Sequence, residues 1–237
     1  MQPKYKRILL KISGEAMKGS RDYGIDPNFL SYLAGEIKEA QATGVEMVLV
    51  TGGGNIFRGL AGSKQGLDRS TADYMGMLAT IFNSLALQDA LEKIGIPTRL
   101  QTSIKMEAIA EPFIRRKAVR HLEKGRVVIL GGGTGLPFIT TDTTAALRGL
   151  ELGCEAIFKA TKVDGVYEED PVQNPQAKKY EYLDFDEAMK NDKIAIIDKS
   201  AISLCRTNKV HIVVFNIHDP GNFKKAVLGE KIGTTIC

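Results

Sequence analysis

The sequence predicts an α/β protein with a largely parallel sheet that is covered by helices on both sides. Short runs rich in β-branched residues alternate with longer helical patterns, and this alternation is typical of parallel strands joined by crossover helices. Gly44, Gly95 and Gly153 each follow a helical pattern, as glycines at helix C-termini do. Glycine-rich loops follow three of the predicted strands, at the sheet edge where α/β proteins bind ligands.

The predicted elements follow one another without a low-complexity linker or an internal repeat. Apolar, β-branched runs predict strands at Arg7–Ile12, Glu46–Val50, Thr98–Gln101, Val127–Leu130, Ala156–Lys159 and His211–Phe215. Helical patterns lie between most of them, at Phe29–Thr43, Thr71–Ile94, Glu111–Glu123, Asp142–Leu152 and Asp198–Asn208. A chain of 237 residues has room for one large α/β domain or two small ones.

Composition excludes several classes of protein. A net charge of +4 is too small to indicate nucleic-acid binding, and the basic segment from Arg115 to Arg126 is most simply the solvated face of a helix. The 3 cysteines are widely spaced, which predicts neither a disulfide framework nor a zinc motif. No run approaches the roughly 18 apolar residues of a membrane span, and the first apolar run is interrupted by Lys11, unlike a signal peptide. We therefore expect a cytoplasmic protein that binds no membrane.

The most informative segment is the glycine loop that follows Val127–Leu130. It contains Gly131–Gly135 and leads into a helical pattern near Asp142. Glycine has no Cβ, so a ligand can approach the backbone N–H groups closely. The start of a helix adds partial positive charge, which suits a phosphate group. Thr140 and Thr141 supply hydroxyls at the same place.

Lys11 lies near the end of the first predicted strand, just before a small turn at Ser13 and Gly14. Leu10 and Ile12 flank it, and lysine is almost never fully buried without a partner. A lysine at the carboxyl end of a buried strand points into the ligand-binding crevice. The alternative is a lysine on the solvent side of an edge strand.

Two further segments fit a nucleotide site, and each has a plainer explanation. Gly52–Gly54 permits the backbone angles of an anion-binding nest, and Arg58 follows within reach of a phosphate, or is a surface arginine. The excursion from residue 161 to residue 179 begins with an Asp-Gly turn signal and is long for a connecting loop. Its Thr161, Tyr167 and Asp170 either line a nucleotide base and ribose or belong to a surface hairpin.

Familiar phosphate-binding motifs are missing from the sequence. It contains no G-x-x-x-x-G-K-[ST], no H-R-D and D-F-G pair, and no G-x-G-x-x-G after the first strand. The phosphate chemistry must therefore belong to another architecture.

Five sequence blocks resemble, in the same order, those of the bacterial uridylate (UMP) kinases of the amino-acid kinase family. The blocks are Lys11–Ala16, Gly52–Gly59, Asp73–Thr80, Gly133–Asp142 and Lys159–Tyr167. The resemblance runs from about Tyr5 to the C-terminus. The D-x-x-G-x-L-A-T block, Asp73–Thr80, is similar to UMP kinases rather than to acetylglutamate, carbamate or aspartate kinases.

The resemblance implies a single-domain three-layer α/β/α sandwich over residues 1–237, with the amino-acid kinase fold, assembled as a homohexamer. It implies the reaction ATP + UMP giving ADP + UDP in pyrimidine nucleotide biosynthesis, by Mg²⁺-assisted in-line phosphoryl transfer. In the family GTP activates and UTP inhibits. Its ATP site matches Lys11, Ile12, Ser13, Gly14, Gly54, Arg58, Thr161, Tyr167 and Asp170. Its UMP site matches Gly53, Asp73, Thr134, Gly135, Leu136, Pro137, Phe138, Ile139, Thr140 and Thr141. The segment linked to GTP activation matches Gly19, Ser20, Arg21, Asp22, Tyr23 and Gly24.

Phosphoryl transfer needs positioning and charge stabilisation rather than covalent catalysis. We expect Lys11 to lie against the transferred group, with Arg58 as a further cation and Asp142 organising either Lys11 or the Mg²⁺ shell. Asp198 is a second candidate for that carboxylate, or only a helix N-cap. Leu136 stands where family members usually carry Asn, which removes one polar contact near UMP. Three other functions stay open: a kinase of this fold acting on a carboxylate or carbamate, a non-catalytic nucleotide-binding or oxyanion-binding protein, and nucleic-acid binding through the Arg115–Arg126 face, which nothing in the sequence demands.

Overall fold

A computed structural model gives the architecture of residues 2–57, 66–169, 171, 174, 176–192, 194 and 196–237. The strands of this part of the chain are β1 (Arg7–Ile12), β2 (Glu46–Thr51), β3 (Thr98–Thr102), β4 (Glu111–Pro112), β5 (Val127–Gly131), β6 (Ala156–Thr161), β7 (Tyr182–Leu183), β8 (His211–Asn216) and β9 (Thr234–Ile236). They form one 9-stranded sheet in the order β4-β3-β5-β2-β1-β6-β8-β9-β7. Among these described pairs, β8 and β9 are antiparallel and the others are parallel.

Helices cover both faces of the sheet. Those of the described residues are α1 (Gly14–Met17), α2 (Pro27–Gln41), α3 (Arg69–Lys93), α4 (Arg115–Glu123), α5 (Thr141–Leu152), α6 (Phe185–Lys190), α7 (Lys199–Asn208) and α8 (Asn222–Val227). One apolar core lies between the sheet and α2, α3 and α8, and a second lies between the sheet and α4 to α7. The predicted α/β class, with a largely parallel sheet in a three-layer sandwich, is confirmed.

The predicted strands are all present, but one predicted helix is wrong at its start. The helix predicted over Glu111–Glu123 begins only at Arg115, because Glu111 and Pro112 form β4 beside β3. Pro112 disfavours helical backbone at the preceding residue. Several short elements were not predicted, namely α1, β4, β7, α6, α8 and β9, since they are too brief to show a periodic pattern.

The basic helix α4 is solvated, as its composition predicts. Arg115, Arg116, Lys117 and Arg120 are exposed, so the solvated basic face of this helix is confirmed. None of the helices in the described residues combines the length and the hydrophobicity needed to span a bilayer.

Candidate active site

The first, second and third glycine loops are Ser13–Gly14, Gly52–Gly54 and Gly131–Gly135. They meet at the carboxyl edge of the neighbouring strands β1, β2 and β5. A Cβ at Gly14 would lie 2.6 Å from the backbone nitrogen of Gly54, and one at Gly53 would lie 2.7 Å from the carbonyl oxygen of Gly76 in α3. No side chain fits at either position, so glycine allows the first loop to contact the second and the second to contact α3.

An open cleft of about 200 Å³ lies between these loops and α3. The lining residues are Gly53, Gly54, Phe57, Asp73, Gly76, Met77, Thr80, Gly133, Thr134, Leu136, Ile139, Thr140 and Thr141. Most positions that match the family's UMP contacts therefore line one cleft, whereas Gly135, Pro137 and Phe138 lie in the same loop without lining it.

Beside this cleft, Lys11 and Lys159 are buried next to each other, with exposed fractions of 7% and 6%. The parallel register of β1 and β6 pairs Lys11 with Lys159. Because side chains alternate along a strand, the two lysines share the sheet face of Leu9 and Ile157. Helix α5 packs on that face, and its first turn carries Asp142 between the lysines.

Asp142 forms ion pairs with both lysines. Its Oδ1 lies 2.9 Å from Lys11 Nζ, and its Oδ2 accepts a hydrogen bond from Lys159 Nζ. Burial works to raise the pKa of Asp142, but the charges of the two lysines outweigh it and hold that pKa below its usual value. Burial and the neighbouring Lys11 lower the pKa of Lys159 to about 8, against the attraction of Asp142. With all three groups ionised, the cluster carries one net positive charge, which suits an anionic ligand.

Asp198 joins the starts of two helices rather than contacting the lysines. It is the N-cap of α7, where it accepts a hydrogen bond of 2.8 Å from Ala201 N. It also accepts hydrogen bonds from the hydroxyls of Thr143, at 2.8 Å, and of Thr140. The N-cap interpretation of Asp198 is therefore correct, and its further contacts order the beginning of α5.

Asp73 fixes the loop that closes the other side of the cleft. Its Oδ2 accepts hydrogen bonds from Phe138 N at 2.8 Å and from Arg69 Nε at 2.9 Å. Phe138 has a φ of 66°, an unfavourable conformation for a residue with a side chain. Strained backbone of this kind concentrates at ligand sites, which agrees with the position of the loop.

Of the remaining positions that match family ATP contacts, those that the structure describes lie at or after the ends of β1 and β6, and several have structural partners. Ile12 is fully buried, and its carbonyl accepts a hydrogen bond from Gly52 N at 2.8 Å. Ser13 is the N-cap of α1, and Thr161, at the end of β6, donates to Val163 O at 2.7 Å. Tyr167 donates its hydroxyl to Asp164 at 2.7 Å. Arg58 and Asp170 lie outside the described residues.

The segment linked by resemblance to GTP activation, residues 19–24, forms a turn beside the second glycine loop. Tyr23 is 80% exposed, and Gly24 N donates to Asn55 O at 2.8 Å. A ligand bound to this turn would therefore lie one hydrogen bond away from the loop that contains Gly53 and Gly54.

Sequence reasoning assigned no role to Lys159, although the structure places it in the cluster, paired with Asp142. The signal was available, because Lys159 interrupts an apolar strand in the same way as Lys11. Five residues that line the cleft were also missed, namely Phe57, Gly76, Met77, Thr80 and Gly133. They lie on α3, in a glycine loop or just after one, where no motif separates lining residues from packing residues.

A parallel sheet whose carboxyl edge carries glycine loops, a helix N-terminus and buried lysines defines a class of phosphate-binding α/β proteins. A kinase of this class must hold two phosphate-bearing ligands next to each other. The chain belongs to the amino acid kinase family, whose model matches residues 6–216.

Solved structures of UMP kinases are similar to the chain over nearly its whole length. UMP kinase from Bacillus anthracis is 40% identical with a TM-score of 0.94, and the match covers 98% of this chain and 96% of that one. UMP kinase from Ureaplasma parvum is 34% identical with a TM-score of 0.91, covering 98% and 99%. Uridylate kinase from Archaeoglobus fulgidus is 27% identical with a TM-score of 0.75, covering 97% and 99%. The resemblance to UMP kinases is confirmed, and the chain is an enzyme of the kinase class.

Proposed function

We propose that the chain transfers the γ-phosphoryl group of ATP to UMP, giving ADP and UDP. The observation that carries this proposal is the cluster of Lys11, Asp142 and Lys159 beside a cleft lined by glycine loops. Its single net positive charge is buried, where charge acts more strongly than in water. UMP would occupy the cleft near Asp73, and ATP would lie along the first two glycine loops.

The cluster can stabilise the charge that develops on the transferred group. In the transfer, the bond from the γ-phosphorus to the bridging oxygen of ATP breaks, and its electron pair stays on ADP. An oxygen of the UMP phosphate forms the new bond to phosphorus. That phosphate is already largely ionised near neutral pH, so no general base is needed. Lys11 and Lys159 would stabilise the equatorial oxygens, and Asp142 would hold both ammonium groups in place.

Mg²⁺ belongs to this proposal as part of the substrate MgATP. Within the described residues, no group of three or more His, Cys, Asp or Glu side chains could hold a metal ion. Asp142, the carboxylate of the cluster, is already engaged by two lysines. The described side chains therefore do not fit a metal site of their own, and none of them is assigned as a Mg²⁺ ligand.

Self-association is supported by one face of α3. Tyr74, Leu78 and Phe82 are spaced by four residues and are 45%, 47% and 58% exposed. An exposed apolar stripe of this kind marks an interaction surface. We propose that it contacts another copy of the chain within a homohexamer. GTP as activator, UTP as inhibitor, a place in pyrimidine biosynthesis and a cytoplasmic location follow from the resemblance and belong to the same proposal.

The experiment that tests the function is a coupled assay of ADP release from MgATP. UMP, CMP, dUMP, acetylglutamate and carbamate are offered in turn as acceptors. Turnover that is strongest with UMP supports the proposal. Turnover with a carboxylate or carbamate, but not with UMP, would leave the family assignment standing and reject the acceptor.

Asp73→Asn is expected to raise the KM for UMP about tenfold and to change the KM for ATP much less. The change removes a charged hydrogen-bond acceptor, and hydrogen bonds to charged groups contribute about 1.5–3 kcal/mol. It also weakens the bond to Phe138 N that fixes the UMP loop. Steady-state kinetics with each substrate varied in turn measures both constants. Equal increases in both would remove Asp73 from the acceptor site.

The kcat/KM for MgATP is expected to fall as the pH rises through about 8, the value to which burial lowers the pKa of Lys159 in the free enzyme. Deprotonation removes one of the two charges that face the phosphoryl group. Stability should change in the opposite direction, because between about 8 and the ordinary value of 10.5 the unfolded chain binds more protons than the folded one. Measuring kcat/KM and Tm from about pH 7 to about pH 9 separates the two effects. In Lys159→Arg the side chain stays charged, so the residual kcat/KM should lose this dependence; an identical fall in that variant would contradict the assignment.

A further inference from the structure

Helix α3 buries polar side chains together with apolar ones such as Met77, Ile81 and Leu87. Thr80, Asn83 and Ser84 face the sheet and are 3%, 0% and 0% exposed. Leu78 and Phe82 point away from the sheet and are about half exposed. Burying polar side chains is unfavourable unless each finds a hydrogen-bond partner. The hydrogen-bond partners of Asn83 therefore show which part of the structure this buried polar side chain stabilises.

Asn83 holds the second glycine loop at two points. Its Nδ2 donates to Gly52 O at 2.7 Å and to Asn55 Oδ1 at 2.7 Å. Its Oδ1 accepts from Asn55 Nδ2 at 3.0 Å, so the two amides form a reciprocal pair. Asn55, which is 3% exposed, also donates to Gly24 O at 2.8 Å. The bonds of Asn83 join α3 to the second glycine loop, and the bond from Asn55 joins that loop to the turn at residues 19–24.

Asn83 bonds to Gly52 and Asn55, which stand on either side of two loop residues that line the cleft. Those two residues are Gly53 and Gly54, whereas Gly52 and Asn55 do not line it. Asn83 does not line the cleft either. By contrast, Thr80, one turn earlier on α3, lines the cleft and accepts a hydrogen bond from Gly132 N of the third loop at 2.9 Å. The same helix therefore fixes the second and third glycine loops relative to each other.

We propose that Asn83 is a positioning residue for phosphoryl transfer, acting through Gly52 and Asn55 on the segment Gly53–Gly54. This inference rests on the proposed function, because that segment lies between the proposed ATP and UMP sites. Gly53 already packs against α3, because a Cβ there would lie 2.7 Å from Gly76 O. The bonds from Asn83 tie the residues on either side of Gly53–Gly54 to the same helix, and we infer that they keep the donor and acceptor phosphates in line. A shift of about 1 Å in such a segment is enough to cost about 100-fold in rate.

Asn83→Ala is the direct test. We expect kcat to fall between about 10-fold and about 100-fold, while the KM values for ATP and UMP change much less, because the ligands still bind but are misaligned. Asn83→Asp should be worse at neutral pH, since a carboxylate places oxygen against Gly52 O and Asn55 Oδ1. Its kcat should recover partly as the pH falls, because a protonated carboxyl can donate one of the lost hydrogen bonds.

Ser84→Ala is the matched control. Ser84 is the next residue of α3 and is equally buried. Its hydroxyl bonds to Thr80 O at 2.8 Å and to Thr51 at 3.1 Å rather than to Gly52 or Asn55, the two residues that Asn83 holds. This control should lower Tm and keep the wild-type kcat. If the Asn83 variants do not fold, Asn55→Ala breaks the same amide pair from the loop side and should give the same loss of kcat.

The outcomes separate this inference from the proposed function. A wild-type kcat in folded Asn83→Ala or Asn55→Ala overturns the positioning role, even when wild-type protein phosphorylates UMP. If the wild-type protein does not phosphorylate UMP, the proposed function fails, and the same kcat comparison is made with the acceptor that the coupled assay identifies. A loss of kcat without a matching change in KM then still supports the role of Asn83.

Discussion

Replacing Lys11 with methionine is expected to lower kcat by about 100-fold to 1,000-fold without unfolding the protein. Removing one group that stabilises charge in a transition state has an effect of this size. The methionine side chain has a similar length and fills the buried space. Asp142 keeps Lys159 as its partner, so the substitution leaves no buried charge without a counter-charge. The KM for ATP should change less than kcat, because other phosphate contacts remain.

The control for this substitution is Lys6→Met. Lys6 precedes the same strand and is exposed, so its loss should leave kcat and Tm close to the wild-type values. Thermal unfolding of both variants shows whether Lys11→Met is folded at the assay temperature. A folded Lys11→Met with kcat within a few-fold of wild type would show that Lys11 does not act on the transferred group.

Much of the sheet could be predicted because buried parallel strands are continuous apolar runs. Val127–Leu130 is such a run, and Gly131–Gly135 behind it marks the carboxyl end where ligands bind. Local chemistry also explains the error over Glu111–Glu123, since the helical pattern there includes Pro112. Patterns of this kind are local, and the sequence expresses them directly.

The cluster of Lys11, Asp142 and Lys159 depends on information that is not local. Lys11 and Lys159 are 148 positions apart, from the difference of their numbers, and they meet because β1 and β6 are neighbours in register. Asp142 joins them only because α5 packs on that particular face of the sheet. The sequence could show two lysines inside apolar strands, but not that they share one carboxylate.

Helix α3 shows a second limit of sequence reasoning. A stripe such as Tyr74, Leu78 and Phe82 has the spacing of an apolar helix face, which in most helices is the buried one. Here that stripe is exposed, and the polar positions Thr80 and Asn83 are inside. Periodicity shows that a helix has two faces, but it does not show which face meets the core. The buried face also carries Met77, Ile81, Leu87 and Leu91, so both faces are partly apolar and tertiary contacts decide between them.

Asp142→Asn is expected to lower the free energy of unfolding at pH 7 by about 3–5 kcal/mol, the usual cost of removing one partner from a buried ion pair. Lys11 and Lys159 would then face each other, with side chains that are 9% and 8% exposed and no anion between them. In wild type the lowered pKa of Asp142 contributes stability at neutral pH that is lost only as the pH falls toward that pKa. The variant should lack this contribution, and kcat should fall with it because the lysines are no longer held in place.

Three comparisons make this expectation specific. The deficit should shrink as the pH rises above neutrality, because Lys159 in the variant loses its proton more easily and the repulsion disappears. Asp142→Asn combined with Lys159→Met should be more stable than Asp142→Asn alone, since only one buried cation remains.

Asp164→Asn is the control. In its ion pair with Lys179, at 2.9 Å, the side chain of Asp164 is 49% exposed and that of Lys179 is 38% exposed, so the loss of this pair should cost less than about 1 kcal/mol. Denaturant unfolding of these variants measures each term, and an equal cost for Asp142→Asn and Asp164→Asn would mean that the buried cluster does not depend on its carboxylate.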